Sequence, residues 1–124
     1  MALGMKQLVA EARALVKAVT PQQAQESGEL ILDVREPPEL ETSGRIAGAL
    51  NIPRGVLETR ADPETATAEE RLTRLRGVGR VHVLCGSGAR AALAAHTLSR
   101  MGYGATLIEG GMTGWKQAGL PVEG

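Results

Sequence analysis

The strongest constraint on the fold is an apolar run that passes directly into a glycine loop and then into a helix-forming segment. Residues 81–84 are Val-His-Val-Leu, and residues 85–90 are Cys-Gly-Ser-Gly-Ala-Arg. Gly102 then stops a helical repeat of apolar side chains, formed by Ala91, Ala94, Ala95, Leu98 and Met101. The pattern predicts a central strand, a tight loop that carries the only cysteine, and a helix.

Apolar runs alternate with helical signals along the rest of the chain. Residues 30–34, 49–52 and 105–108 have the length and composition of buried strands. Capping boxes at residues 20–23 and 67–70 predict helices that end near Gly28 and Leu75, and a last short helix is predicted through Trp115. The alternation predicts an α/β domain in which helices cover both faces of a parallel sheet.

The first residues of the chain predict an amphipathic helix that ends near Val19. Its apolar face is formed by Leu8, Ala12, Leu15, Val16 and Val19. We expect this face to pack against the domain, because most such faces belong to a core. The predicted organisation is a helix in residues 1–19 and one α/β domain in residues 20–124.

Composition narrows the partners and the compartment. The 124 residues suit one domain, and 14 basic side chains balance 14 acidic ones, so no electrostatic attraction to nucleic acid or to a membrane is expected. A lone cysteine cannot form an intramolecular disulfide, which favours a cytoplasmic setting. Charged residues interrupt the first apolar stretch, unlike an export signal, and no stretch approaches the length of a membrane span.

Cys85 is predicted to be a nucleophile at the carboxyl end of a strand, where ligands of such folds bind. A thiol reacts as its thiolate, and the unpaired N–H groups of a helix N-terminus stabilise negative charge. A lone cysteine is otherwise an apolar filler of the core, but a filler needs neither a glycine loop nor the neighbouring Arg90.

The backbone of the loop is the expected catalytic apparatus, because residues 85–90 contain no acidic side chain and no imidazole. Glycines allow successive N–H groups to curl around a bound atom. We expect substrate contacts from Gly86, Ser87, Gly88, Ala89 and Arg90, with the serine adding a hydroxyl donor. The arginine has two orientations compatible with the sequence: into the cradle, or outward to brace the loop.

Residues 85–90 resemble the active-site loop of single-domain rhodanese-like sulfurtransferases, with cysteine first, glycine fourth and arginine sixth. Residues 32–37, Leu-Asp-Val-Arg-Glu-Pro, are similar to the strand-end signature of that family, and residues 44–53 to its next motif. Residues 110–115, Gly-Gly-Met-Thr-Gly-Trp, with 119–122 resemble its C-terminal signature. These motifs run through residues 20–124 in the family's order, which is more specific than any one motif.

The resemblance implies a five-stranded parallel sheet in a three-layer α/β/α arrangement and a reaction through a persulfide on Cys85. The thiolate would take the outer sulfur of a donor such as thiosulfate, release sulfite and pass the sulfur to cyanide or a thiol. No metal and no organic cofactor is required. A thioredoxin-like protein or a sulfur-carrier protein is the implied protein partner.

Three positions depart from the family pattern. Gly86 stands where many thiosulfate-using relatives carry Arg or Lys, so thiosulfate is a weaker expected donor and mercaptopyruvate is an alternative. Arg45 replaces a histidine of the second motif, and Ala91 replaces the serine that usually follows the arginine. The reaction is therefore better constrained than the donor.

Other residues near the predicted strand ends have structural interpretations. Asp33 and Arg35 are expected to brace adjacent loops rather than to act as acid and base. His82 and His96 have no ligand-like spacing to the cysteine and are expected to be structural. Trp115 either lines the pocket or anchors its helix.

Three other functions compete with a free-standing sulfurtransferase. A cysteine-dependent phosphatase or arsenate reductase places five residues between cysteine and arginine, whereas this chain has four. A non-catalytic interaction module tends to lose Cys85 and Arg90, which are both present. A protein that carries sulfur between two partners remains open, since only its partners distinguish it from the enzyme.

Overall fold

Seven helices alternate with five short strands in the computed structural model, which describes residues 2–124. The strands are β1 (Lys17–Val19), β2 (Leu30–Asp33), β3 (Leu50–Asn51), β4 (Arg80–Leu84) and β5 (Gly104–Ile108). The helices are α1 (Met5–Leu15), α2 (Pro21–Ser27), α3 (Pro37–Ser43), α4 (Leu57–Ala61), α5 (Glu70–Thr73), α6 (Ala89–Arg100) and α7 (Gly111–Gln117), with a 3-10 turn at Arg54–Val56. None of the helices within the described range is long and apolar enough to cross a membrane.

All five strands are parallel and lie in the order β1-β5-β4-β2-β3. The central strand β4 pairs with β2 on one side and with β5 on the other. Its residues 81–84 are all buried, as expected of a parallel strand covered on both faces. The carboxyl ends of β2, β4 and β5 therefore meet at one edge of the sheet, and Cys85 follows β4 directly.

Side chains from alternate strand positions enter two separate cores, which confirms the predicted three-layer α/β/α fold. The first core packs α1, α4, α5 and α6 against one face of the sheet, and it includes Cys85. The alanine-rich face of α6 approaches this side through Ala91, Ala92, Ala94 and Ala95. The second core packs α2 and α7 against the other face, with Met112 and Trp115 in it.

The N-terminal helix is shorter than the sequence predicted. It ends at Leu15, and Val19 lies instead in β1, where it pairs with Ile108 of β5. Strand pairing buries Val19 and supplies backbone partners to residues 17–19 at the sheet edge. Only Ala12 of α1 is buried, whereas 66% of Leu15 is exposed, so the apolar face packs only in part. The division into residues 1–19 and 20–124 stays a prediction.

The two predicted capping boxes have different outcomes. At the start of α2 the Thr20 hydroxyl accepts from the Gln23 N–H, and the Gln23 side chain accepts from the Thr20 N–H, which confirms the first. The second is wrong because α5 begins three residues after Thr67 and is capped by the carboxylate of Glu69. The short helices α3 and α4 were not predicted, since neither is long enough to show a clear apolar repeat.

A buried ion pair fixes the chain where it leaves β2. The Asp33 carboxylate accepts from the Arg35 side chain at 2.7 Å (Nη2) and 3.0 Å (Nε), and from the Arg35 backbone N–H at 3.0 Å. Two further guanidinium hydrogens, one on Nη1 and one on Nη2, are donated to the carbonyls of Glu39 and Gly44, within and just after α3. The bracing interpretation of this pair is confirmed.

Replacing Arg35 by methionine is expected to destabilise the protein by about 3–5 kcal/mol, because Asp33 would remain buried without its partner. Urea unfolding of the wild type and the variant measures the difference. Arg54→Met is the matched control, since the Arg54–Glu58 pair is a more exposed i,i+4 pair worth about 0.3–0.5 kcal/mol. Equal losses in the two variants would contradict the bracing role.

Candidate active site

Cys85 lies at the base of a backbone cradle at the carboxyl edge of the sheet. Its Sγ accepts from the N–H groups of Gly88 at 3.1 Å and Ala91 at 3.3 Å. The side chain is almost fully buried, and it belongs to the core between the sheet and α6. Two backbone donors at a helix start stabilise negative charge on the sulfur, which is the arrangement that a reactive thiolate needs.

The loop reaches this geometry because Gly88 adopts a backbone conformation that other residues rarely adopt. Its φ is 120°, in the region that favours glycine, and α6 begins at the next residue. The chain thus turns sharply enough to direct the N–H of Gly88 back at Cys85. Ala91, the departure from the family pattern after the arginine, contributes through its backbone N–H rather than its side chain.

The first turn of α7 holds the loop from the other side. The N–H groups of Met112 and Thr113 donate to the carbonyls of Cys85 and Gly86, at 2.7 Å and 3.2 Å. Gly111 makes this close approach possible: its φ is 57°, and an added Cβ would contact the Cys85 carbonyl oxygen and lie 2.6 Å from that of Gly86. The carbonyls of Cys85 and Gly86 therefore both accept hydrogen bonds from α7.

Arg90 braces the loop from outside. Its Nη1 and Nη2 donate to the two carboxylate oxygens of Glu39 in α3, at 2.7 Å and 2.8 Å. This bidentate bond, the N–H of Glu36 and the nearby charge of Arg90 hold the pKa of the Glu39 carboxyl at about 2. The same carboxylate raises the pKa of Arg90. Of the two orientations open from the sequence, the structure has the outward one, with a carboxylate rather than backbone carbonyls as the acceptor.

The side chains of the other predicted residues contribute little to the cradle. Ser87 is exposed, and its hydroxyl makes no hydrogen bond within residues 2–124, while Ala89 is the first residue of α6. The side chain of Arg45 is exposed, and its backbone pairs with Glu123. None of these side chains contacts Sγ through a hydrogen bond, so the described cradle is made by the backbone.

His82, which was expected to be structural, and Trp115 are buried in the second core or beside it. His82 bonds the Thr106 hydroxyl through Nδ1 at 2.6 Å and the Glu29 carboxylate through Nε2 at 2.9 Å. Trp115 is buried and donates from Nε1 to the carbonyl of Pro121, which anchors the chain after α7. The helix-anchoring interpretation of the tryptophan is the one that these contacts match.

Sequence reasoning missed two residues that shape the site. Glu39 is the third residue of α3, and no local pattern indicates that it pairs with an arginine 51 positions later. Arg13 of α1 bonds the Glu109 carboxylate at 2.7 Å, and its Nη1 lies 3.9 Å from the position of a Cβ on Gly88. The N-terminal helix therefore reaches the active-site loop, which its apolar pattern could not show.

The fold and the cradle define a class of parallel α/β domains that present one cysteine on a backbone N–H loop. The family model described as "Rhodanese-like domain" matches residues 15–118, and the chain belongs to that family. The match covers every strand and the whole of the Cys85 loop, so the family named from the motifs is confirmed.

The relatives and similar structures carry several names. A protein of Mycobacterium tuberculosis named "Putative thiosulfate sulfurtransferase SseB" is 35% identical in an alignment 111 positions long, which covers 78% of this chain and 38% of that protein. A structure from Rhodopseudomonas palustris is described as a protein of unknown function and "Possible Tyrosine Phosphatase". It has a TM-score of 0.89 at 31% identity, and the match covers 99% of this chain and 96% of the Rhodopseudomonas chain. A rhodanese-related protein of Thermoplasma volcanium has a TM-score of 0.67 at 30% identity, with coverage of 86% and 96%. The chain thus spans well under half the length of the mycobacterial relative.

Replacing Gly111 by alanine is expected to displace the Cys85 loop, because the new Cβ would collide with two loop carbonyls. We expect a slower reaction of Cys85 with iodoacetamide, by about tenfold or more, together with a loss of stability of about 1–3 kcal/mol. Gly119→Ala is the control: Gly119 also has a positive φ of 74°, but nothing lies within 4 Å of its added Cβ. A thiol that reacts equally fast in the two variants would contradict the role given to Gly111.

The Glu39–Arg90 pair is expected to make stability depend on pH in the acid range. Because the folded pKa of Glu39 is about 2, below the ordinary 4.5, the pair stabilises the fold above the unfolded pKa. That stabilisation is lost as the pH falls through about 4.5 toward about 2. Urea unfolding should show Glu39→Gln less stable than the wild type at neutral pH, and the gap should close on acidification. A gap that is constant with pH would contradict the ion pair.

Proposed function

We propose that the protein is a sulfurtransferase that moves a sulfane sulfur from a small anionic donor to a thiophilic acceptor through a persulfide on Cys85. The observation that carries the proposal is the pair of N–H bonds to Sγ, at 3.1 Å and 3.3 Å, in a loop without an acid or base. Membership in the rhodanese-like family and the name of the mycobacterial relative support it.

The first half-reaction loads the cysteine. The Cys85 thiolate attacks the outer sulfur of thiosulfate, a new S–S bond forms, and the S–S bond of the donor breaks. The electron pair of that bond leaves with sulfite, and the negative charge passes to the terminal sulfur of the persulfide. No proton moves in this step, which suits a loop whose donors are backbone N–H groups.

The second half-reaction transfers the sulfur from Cys85 to the acceptor. Cyanide, or the thiolate of an acceptor, attacks the terminal sulfur and forms a new bond to it, while the persulfide S–S bond breaks. The electron pair returns to Sγ, which restores the thiolate under the N–H groups of Gly88 and Ala91. Because the enzyme alternates between two covalent states, ping-pong kinetics are expected.

Thiosulfate fits this loop better than mercaptopyruvate does. With mercaptopyruvate the C–S bond would break, and the carbon would leave as the enolate of pyruvate, which then takes up a proton. Residues 85–90 hold no acidic side chain to supply that proton. The position after the nucleophile is the uncharged Gly86, which argues against thiosulfate.

The acceptor and the setting follow from the thiol. A single cysteine with no disulfide partner in the chain suits a reducing compartment, and we propose the cytoplasm. There the acceptor is a small thiol or the thiol of a thioredoxin-like or sulfur-carrier protein. A carrier that is loaded by one protein and unloaded by another would use the same persulfide.

A phosphatase is the second candidate, since the structure from Rhodopseudomonas palustris bears that description. Two features favour sulfur transfer over it. Only four residues separate Cys85 from Arg90, and the guanidinium is engaged by both oxygens of Glu39 instead of facing the sulfur. A phosphoryl group has three equatorial oxygens to be neutralised, and Arg90, the only cation in residues 85–90, is already paired with Glu39.

Incubation with thiosulfate is expected to add one sulfur atom to the wild type, seen by mass spectrometry and removed by cyanide as thiocyanate. Cys85→Ser should gain no sulfur and should reduce turnover to the background rate, because the attacking atom is lost. Arg100→Gln, at the opposite end of α6, is the control and should be loaded like the wild type.

Three other results would each redirect the assignment. Sulfur gained from mercaptopyruvate alone would change the donor. Sulfur accepted only from a protein persulfide would identify a carrier. Hydrolysis of an aryl phosphate that depends on Cys85, without any sulfur gain, would replace the proposal by the phosphatase.

A further inference from the structure

A small cavity opens beside the active-site loop, next to Gly86. Its volume is about 140 Å³, which is about the share of five water molecules in the liquid. It is lined by Arg35, Glu39, Ser43, Gly86, Met112, Thr113 and Lys116. The cavity is therefore bordered by α3 and α7, the two elements that hold the catalytic loop, and by the loop residue that follows Cys85.

Gly86 adds no side chain to the wall of this space. Its hydrogen replaces a side chain, and a Cβ built there would point toward Arg90, with Nη2 at 3.4 Å. A longer side chain at this position would enter the region that Arg90 and Glu39 border. The cavity therefore has room for a small molecule next to the residue that follows the nucleophile.

Lys116 projects toward this space because of its place in α7. Helical side chains lean toward the helix N-terminus, so Lys116 lies over Met112 and Thr113, four and three residues before it. Those two residues donate their N–H groups to the carbonyls of Cys85 and Gly86. The exposed ammonium of Lys116 is therefore carried by the same helical turn that holds the loop.

Among the charged side chains around the cavity, Lys116 is the one without a charged partner within residues 2–124. Arg35 is paired with Asp33, and the Glu39 carboxylate is held by both terminal nitrogens of Arg90. Lys116 forms no ion pair within residues 2–124. The wall thus combines one free positive charge with the hydroxyl groups of Ser43 and Thr113.

We propose that this cavity binds the anionic end of the sulfur donor and that Lys116 supplies the positive charge that Gly86 lacks. The inference rests on the proposed sulfur transfer and names the part of the chain that selects its donor. The negative oxygens of the donor occupy the cavity, with the ammonium and the hydroxyl groups around them. Its sulfane sulfur is then presented to Cys85, which precedes Gly86 in the chain.

Arg13 is the other cation near the loop, but it is less available. Its Nη2 already bonds Glu109 at 2.7 Å, and it lies on the side of Gly88, away from the cavity. A donor anion would have to compete with the Glu109 carboxylate for it. We therefore assign anion selection to Lys116.

The test compares Cys85 alkylation by iodoacetate, an anion, with alkylation by iodoacetamide, a neutral reagent of similar shape. Lys116→Gln should lower the ratio of the two rates by about three- to tenfold, whereas Lys116→Arg should preserve it. Lys6→Gln, which removes an exposed lysine that does not line the cavity, should leave the ratio unchanged. An unchanged ratio in Lys116→Gln would overturn the assignment.

The steady-state reaction with thiosulfate gives a second readout. Lys116→Gln should raise KM for thiosulfate by about the same factor with little change in kcat, and added salt should raise KM more in the wild type than in the variant. The two proposals fail separately. If the wild type gains no sulfur, the proposed transfer is refuted, and the alkylation ratio still tests the role of Lys116. If loading is normal and KM is unchanged in Lys116→Gln, only the role of Lys116 is refuted.

Discussion

The buried bond between Asp33 and Arg35 is the interaction on which the site depends. A charge inside a protein must be paired, so the carboxylate at the end of β2 fixes the guanidinium two residues later. That guanidinium also binds the carbonyls of Glu39 and Gly44, which positions α3. The placed helix presents the Glu39 side chain to Arg90, and Arg90 holds the loop. One ion pair in the sheet thus orients a second one at the surface.

The loop itself is held by the helix that follows it and by two elements that are distant in sequence. The start of α6 supplies its N–H donors, the start of α7 binds its carbonyls, and α3 receives its arginine. Such convergence is a property of the parallel sheet, because the carboxyl ends of all strands face one edge. The cysteine can therefore be surrounded by backbone donors although no side chain of the loop approaches it through a hydrogen bond.

Local sequence patterns predicted the structural features that depend on neighbouring residues. The strand before Cys85, the helix after it and the capping box at Thr20 follow from neighbouring residues, and each lies where the sequence indicated. Val19 was wrongly assigned to a helix because its strand conformation depends on pairing with Ile108, which lies 89 positions later in the chain.

The contacts of Glu39 and Gly111 could not be read from the sequence for the same reason. Glu39 meets its arginine because the fold brings the start of α3 close to the start of α6, and the need for glycine at Gly111 arises from carbonyls 25 and 26 residues earlier. The motif resemblance placed Gly111 within a signature without giving the steric cause. The features that were not predicted depend on contacts between residues that are distant in sequence, and not on the residue types themselves.

The modest packing of α1 has a consequence for motion near the nucleophile. Its eleven residues lie along α6 but bury only Ala12 fully and Val9 in part, while Leu8 and Leu15 remain exposed, so little apolar area opposes its detachment. Segments with few buried contacts open locally at a lower free energy than the whole domain. We expect the amide hydrogens of α1 to exchange with solvent before those of α6. Each such opening would separate Arg13 from Glu109 and uncover the outer side of Gly88, so access to the loop fluctuates with the first helix.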